Sequence, residues 1–272
     1  MQTTIYKSVK QQHNQHTNID DYLVVEAPIE ININQSSFTV VMRTPGDDNE
    51  LVRGLLFAED IYRNTNEMDF SILENDKHGF TKVNVNISNK LLGQGYLTKR
   101  SLLSVSSCGI CGKQNIEDLA LHSDSSQNIS SIDILDMNRV PEMYIQMKKL
   151  QKTFELTGGS HAAAIFNKKH ELLTVKEDIG RHNAVDKCVG YLLNNNILDE
   201  GSFLFVSGRV SYEIISKAFF AKIKTIVAVS ACSSLAVDYA KEFGICLIGF
   251  SRDGTSTIYA NPHATNYNIS EQ

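Results

Sequence analysis

The sequence predicts a two-domain α/β protein, a small N-terminal α+β unit followed by a three-layer α/β/α domain. Three observations carry this. Short apolar strands alternate with amphipathic helices in the C-terminal half, and β-type alternation with one short helix fills the N-terminal third. The chain's 272 residues at 42% hydrophobic content are also rather long for a single core. The expected divisions are a flexible segment over 1–18, an α+β domain over 19–105, a cysteine-bearing loop and connection over 106–135, and the α/β/α domain over 136–272.

Residues 1–18 are polar, which predicts a loose start. From Tyr22 the alternation through Ile29, Ile31 and Ile33, then Phe38, Val40 and Met42, reads as a hairpin turning near Asn34-Gln35-Ser36. Thr44-Pro45-Gly46-Asp47-Asp48 breaks the sheet and caps a short helix with Leu51, Val52, Leu55 and Leu56 on one face. Val83, Val85 and Ile87 mark a further strand. Over 101–131, Ser, Gly and Asp clusters surround only a short helical stretch at 116–121, the composition of a functional loop or a domain connection.

Pro141 suits the first turn of a long helix over 141–154. Strands over 161–166 and 172–176 flank the turn Asn167-Lys168-Lys169, and a helix over 183–193 shows Val185, Val189 and Leu192 on a common side. A strand over 203–206, a helix over 212–222, a strand over 225–229, a helix over 235–243 and a strand over 245–250 complete the pattern. Such elements connect mostly by right-handed crossovers, with functional loops at the strand ends.

Twenty-six basic against 31 acidic side chains give a formal charge of -5, which argues against a protein that coats a nucleic-acid backbone. Neither end holds an apolar run able to span a bilayer, and the polar start lacks a signal-peptide core, so a soluble intracellular protein is expected. Of five cysteines, Cys188, Cys232 and Cys246 are widely separated, unlike a secreted disulfide framework. Reduced thiols are the expectation.

Cys108 and Cys111 stand in the polar run Ser106-Ser107-Cys108-Gly109-Ile110-Cys111-Gly112-Lys113. This spacing serves sulfur relay, redox exchange or half of a metal site. Arg100 and Lys113 are candidates to lower a thiol pKa, and Cys111 is placed to attack a mixed disulfide or persulfide on Cys108. A thioredoxin-like site needs a strand before the pair, and that strand is poor here. Structural zinc needs two more ligands; His122 or a second subunit are the candidates, since no second close cysteine pair exists. Packed or merely accessible thiols are the plain alternative.

The turn Thr157-Gly158-Gly159-Ser160-His161 permits close backbone approach to an anion, or is simply tight. Glu177-Asp178-Ile179-Gly180-Arg181-His182-Asn183 places Arg181 and His182 at a helix start, where backbone donors and positive charge suit a phosphate or a pterin ring. A solvent-facing cap explains Glu177 and Asp178 equally well. Ser207-Gly208-Arg209 follows another strand, and Arg209 is suited to clamp a phosphate; a helix cap with surface charge is the alternative. Phe250-Ser251-Arg252-Asp253-Gly254-Thr255 adds a ring, a cation and a flexible turn. Together the strand-end clusters favour a large polyanionic organic ligand.

These motifs, with Thr44-Pro45-Gly46 and His161-Ala162-Ala163-Ala164, run in an order that resembles the FdhD family of sulfur carriers and sulfurtransferases required for formate dehydrogenase activity. The resemblance covers about residues 22–262. It implies that Cys108 takes sulfur from a cysteine desulfurase as a persulfide, with Cys111 as auxiliary thiol. The sulfur then passes to the molybdenum or tungsten bis(pterin guanine dinucleotide) cofactor supplied to the formate dehydrogenase catalytic subunit. It implies that Phe250, Ser251, Arg252, Asp253, Gly254 and Thr255 contact that cofactor, with Arg181, His182 and Arg209 near its phosphates. A cytidine-deaminase-like C-terminal domain, a homodimer and a cytoplasmic location follow too, with neither nucleic acid nor membrane as partner. The His/Cys zinc constellation of an active deaminase is missing from that domain, so deamination does not follow. Lys176 stands where many relatives use Arg, and Asp253 puts an acid beside Arg252. A cofactor-delivery chaperone that transfers no sulfur, and a thiol-disulfide oxidoreductase, are the competing functions.

Overall fold

The computed structural model describes residues 2–66, 68–98 and 133–266. Its first element corrects the expectation of a loose segment over 1–18: β1 (Thr3–Gln12) and β2 (Gln15–Val24) form an antiparallel ribbon. The strand formers Ile5, Val9, Thr17, Ile19 and Tyr22 are scattered among polar residues, which hides their period, and His13 takes a positive φ of 54° at the turn. The ribbon is tied down at its base. The Val25 N–H donates to the Gln2 carbonyl at 2.8 Å, and the Thr153 hydroxyl donates to the Gln2 side chain at 2.9 Å.

A mixed sheet follows in the order β4-β3-β6-β5, from β3 (Ala27–Ile33), β4 (Ser36–Arg43), β5 (Asp69–Asn75) and β6 (Thr81–Asn86). The expected β3–β4 hairpin turns at Asn34 and Gln35, with φ of 50° and 66°. β5 escapes the sequence pattern because a register shift between Ile72 and Glu74 breaks its alternation. Helix α1 (Asp48–Ala58) buries Leu51, Val52 and Leu56 against Ile29, Ile31, Val83 and Val85. Each such side chain contributes about 1.5–3 kcal/mol. Asp47 precedes α1 with no side-chain cap, because its carboxylate is 2.6 Å from the Lys176 Nζ in the other half of the chain. The short helix α2 (Gln94–Thr98) ends this part.

The single helix expected over 141–154 is two helices, α3 (Val140–Lys149) and α4 (Lys152–Thr157). The break has a local cause: the Glu177 carboxylate accepts from the Thr153 and Phe154 N–H groups, both at 2.8 Å, and so starts a new helix there.

The C-terminal sheet has the order β12-β11-β10-β9-β7-β8, from β7 (His161–Phe166), β8 (Leu172–Asp178), β9 (Phe203–Val206), β10 (Thr225–Ala228), β11 (Cys246–Arg252) and β12 (Thr255–Ala260). Only β9, β10 and β11 are mutually parallel; β7, β8 and β12 run antiparallel to their neighbours. The crossovers therefore reduce to α6 (Tyr212–Phe220) and α7 (Ser234–Glu242). With α5 (Arg181–Asn194) these helices cover one face around Ala163, Leu204, Ile226 and Leu247. On the other face Met143 and Met147 of α3 pack with Phe166, Phe205 and Ile248. Three layers result, and α1 joins the halves by packing directly on α5. Among the described residues, no helix is long and apolar enough to cross a membrane.

Candidate functional site

The end of β8, the start of β7 and the ends of β9, β10 and β11 meet along one edge of the C-terminal sheet. His161 pairs with Asp178 across β7 and β8, and the Ala162 N–H donates to the Ser207 hydroxyl at 2.9 Å. The Ser207 N–H returns to the Ala162 carbonyl at 2.9 Å. Parallel strands β9 to β11 direct their carboxyl ends to this edge, the usual place for a ligand in an α/β sheet.

A buried ion pair fixes the approach to α5. Asp178 and Lys187 are fully buried and 2.8 Å apart. The Thr44 and Gly180 N–H groups and the Asn183 amide donate to the Asp178 carboxylate at 3.1, 2.8 and 2.9 Å. Lys187 donates to the Thr44 and Glu177 carbonyls at 2.9 and 3.2 Å. A buried pair is tolerable only when its remaining donors and acceptors are met in this way. The solvent-facing cap is thereby excluded for Glu177 and Asp178. Both are buried and structural, and they hold the Gly180 turn from which Arg181 projects.

His161 and Arg181 both close on the Gly208 Cα. A Cβ at Gly208 would stand 3.1 Å from His161 Nδ1 and 3.4 Å from Arg181 Cδ, so the glycine permits the approach. Burial, then the Arg181 and Arg209 charges, push the His161 pKa below its ordinary 6.5, and Asp178 only partly opposes them. Among the described residues, Arg181 Nε is buried with no hydrogen-bond partner. Gly180 gives α5 no side-chain cap. Ser211 gives none to α6, its hydroxyl lying 3.0 Å from His182 Nε2, with Glu213 3.8 Å from the same nitrogen. Two helix N-termini and an undercompensated set of cations thus face one place, which suits an anion.

Beside this cluster opens a cavity of about 1280 Å³, walled by α3, the turn from Gly158 to His161, Ser207, and the β11–β12 turn. Its size exceeds the few hundred Å³ that a small metabolite fills. Ser251, Arg252, Asp253, Gly254 and Thr255 all belong to its wall. Phe250, 40% exposed and at φ 49°, stands outside that wall. Arg181, His182 and exposed Arg209 also stand outside it, and His161 and Ser207 connect the two places. The α3 residues Tyr144 and Lys148, which the sequence reading passed over, line the cavity. No pattern in a lone amphipathic helix marks which of its residues will face a ligand. Cys108 and Cys111 lie outside the described residues. Cys188 is buried and donates to the Ala163 carbonyl at 3.2 Å, its thiol pushed up to about 12 by burial, so it serves packing.

Comparison with known proteins agrees with the motifs. The family model described as the FdhD/NarQ family matches residues 24–266. The chain is 36% identical over 253 residues to the sulfur carrier protein FdhD of Streptomyces avermitilis, covering 89% of this chain and 88% of that one. It is 34% identical to the protein of the same name from Sulfolobus acidocaldarius, covering 96% and 98%. The crystal structure of a protein assigned as a formate dehydrogenase accessory protein from Desulfotalea psychrophila has the same fold, with a TM-score of 0.76 at 21% identity over 97% of this chain and 100% of that one. A match over nearly the whole chain, together with relatives above a third identical, shows that the chain belongs to the FdhD/NarQ family.

Proposed function

We propose that this chain accepts sulfur on Cys108 from a cysteine desulfurase and passes it to a molybdenum or tungsten bis(pterin guanine dinucleotide) cofactor, in support of formate dehydrogenase maturation. The observation that carries the ligand half is the strand-end cavity, which runs from the Ser251 to Thr255 turn to His161, beside the cations Arg181 and Arg209. A guanine dinucleotide is large and polyanionic, and an unpaired Arg181 Nε at two helix N-termini suits its phosphates. The sulfur half rests on the Cys108 motif and on the relatives' naming as sulfur carriers.

In this reading the Cys108 thiolate attacks the terminal sulfur of the desulfurase persulfide, and the desulfurase thiolate leaves. Attack by Cys111 on the inner sulfur of the Cys108 persulfide then releases hydrosulfide toward the cofactor and leaves a Cys108–Cys111 disulfide, which a dithiol reductant reopens. The α/β/α domain, read as cytidine-deaminase-like, serves binding alone. The reading includes a homodimer working in the cytoplasm.

Incubation with a cysteine desulfurase and cysteine, followed by peptide mass spectrometry, is expected to show one added sulfur atom on the Cys108 peptide. An unlabelled Cys108 beside a labelled positive-control carrier would remove the relay. Full formate dehydrogenase maturation by Cys108→Ala would leave cofactor delivery without sulfur transfer, and turnover of a protein disulfide without sulfur transfer would favour an oxidoreductase.

A further inference from the structure

Three hydroxyls run inward from the cavity wall. Ser256 is exposed on the wall, and its Oγ lies 2.9 Å from the Oγ of Ser251, which is 3% exposed. Next to Ser251 stands the Tyr144 phenol, whose ring lines the cavity and packs edge-on against Phe205 with centroids 4.9 Å apart. Its oxygen is buried within reach of Ser251, yet among the described residues it closes no hydrogen bond. An unpaired buried hydroxyl is costly, of order 1–3 kcal/mol, and native proteins retain few of them without a use. Phenylalanine would fill the same space without that cost. Burial also pushes the phenol pKa well above its ordinary value, so it remains a donor at any physiological pH.

We infer that Tyr144, Ser251 and Ser256 form a hydrogen-bond relay that is left open in the free protein and closed by a phosphate oxygen of the cavity ligand. Each hydroxyl has one proton to give. Without ligand, Ser256 donates to Ser251 and, among the described residues, Tyr144 closes no hydrogen bond. A phosphate oxygen at the wall draws the Ser256 proton outward. Ser251 turns to donate to the freed Ser256 oxygen, and Tyr144 donates to Ser251. Every donor is then used, and the chain ends on an anion, which strengthens each link behind it. Arg252 and Lys148, both on the cavity wall, supply the positive charge beside it that Asp253 alone would weaken. Tyr144 is thus a positioning residue for phosphate, acting through Ser251. The inference rests on the guanine dinucleotide reading of the cavity but names residues that reading does not use.

Calorimetric titration of the full chain with GDP, guanosine and pyrophosphate tests it, with Tyr144→Phe, Ser256→Ala and the double variant. Tyr144→Phe is expected to weaken GDP and pyrophosphate about 3- to 10-fold and leave guanosine unchanged. It is also expected to raise the melting temperature of the free protein by about 2–4 °C, because the unpaired hydroxyl is gone. The double variant should bind GDP no worse than Ser256→Ala, since the relay has already lost its end. Unchanged GDP affinity in Tyr144→Phe, an equal loss for guanosine, or a lower melting temperature would each overturn the relay. Wild-type binding of pyrophosphate but not GDP, with the Tyr144→Phe effect intact, would keep the relay and remove the guanine reading. Binding of neither probe would remove both.

Discussion

Gly54 of α1 lies directly against the backbone of Asp186 in α5, so closely that a Cβ on it would collide with the Asp186 carbonyl. The contact is reciprocal, because a Cβ on Gly190 of α5 would collide with the Glu50 carbonyl of α1. Two glycines one helix-crossing apart let the N-terminal unit and the α/β/α domain share their helical layer. Gly54→Ala and Gly190→Ala must each move whole helices, and each is expected to cost about 2–3 kcal/mol in urea unfolding. A loss below 0.5 kcal/mol for both would show that the crossing relaxes freely.

The Asp178–Lys187 pair crosses the same boundary through Thr44. Lys187→Met keeps the volume but leaves the Asp178 carboxylate buried without its counter-charge, a loss expected at about 3–5 kcal/mol. Adding Asp178→Asn should recover much of it, since the unpaired charge disappears. Chemical denaturation of the two variants decides the point, and no recovery in the double variant would mean that the hydrogen bonds to Thr44 and Gly180, not the charge, carry the cost.

The C-terminal domain was legible because its strands and helices keep clean periods. The strand over 203–206 matches β9, and Val185, Val189 and Leu192 all lie on the buried side of α5. What escaped was set by tertiary contacts. Glu177 splits α3 from α4 from a distant strand, and the Asp47 carboxylate leaves its expected capping role for Lys176. The ribbon β1–β2 escaped because its polar residues dilute the alternation. At the cavity wall, Asp253-Gly254 marks the β11–β12 turn in the sequence, whereas the ring of the same stretch, Phe250, stands outside that wall. His161 and Gly208 meet only because β7 and β9 are neighbours, and Tyr144 faces the cavity only because α3 covers that face of the sheet.

His161 should report on anion binding through protons. Its pKa is depressed in the folded chain, so between that lowered value and the ordinary 6.5 the unfolded state binds more protons and stability falls as pH falls; well outside that window the residue contributes no slope. His161→Gln is expected to flatten that acid-side slope. A bound phosphate would offset the Arg181 and Arg209 charges and raise the pKa, so GDP binding near pH 6 should take up protons. Calorimetry in buffers of different ionisation enthalpy measures that uptake, and an uptake that persists in His161→Gln would assign it elsewhere.

Arg181 separates an anion site from a merely well-packed helix start. Its aliphatic part rests on Gly208, and among the described residues its Nε has no hydrogen-bond partner. Arg181→Gln keeps the stem and removes the charge. It is expected to weaken GDP about 10-fold or more, the scale of one charge-assisted hydrogen bond, with a melting temperature within about 2 °C of wild type. Arg181→Lys restores charge without the planar fork, and should recover affinity only in part if the phosphate is held by two nitrogens. Full recovery by Lys would mean that the site reads charge alone. Unchanged affinity in Arg181→Gln, measured beside Arg209→Gln, would place the phosphates at the cavity wall with Lys148 and Arg252 and leave the α5 start as structure.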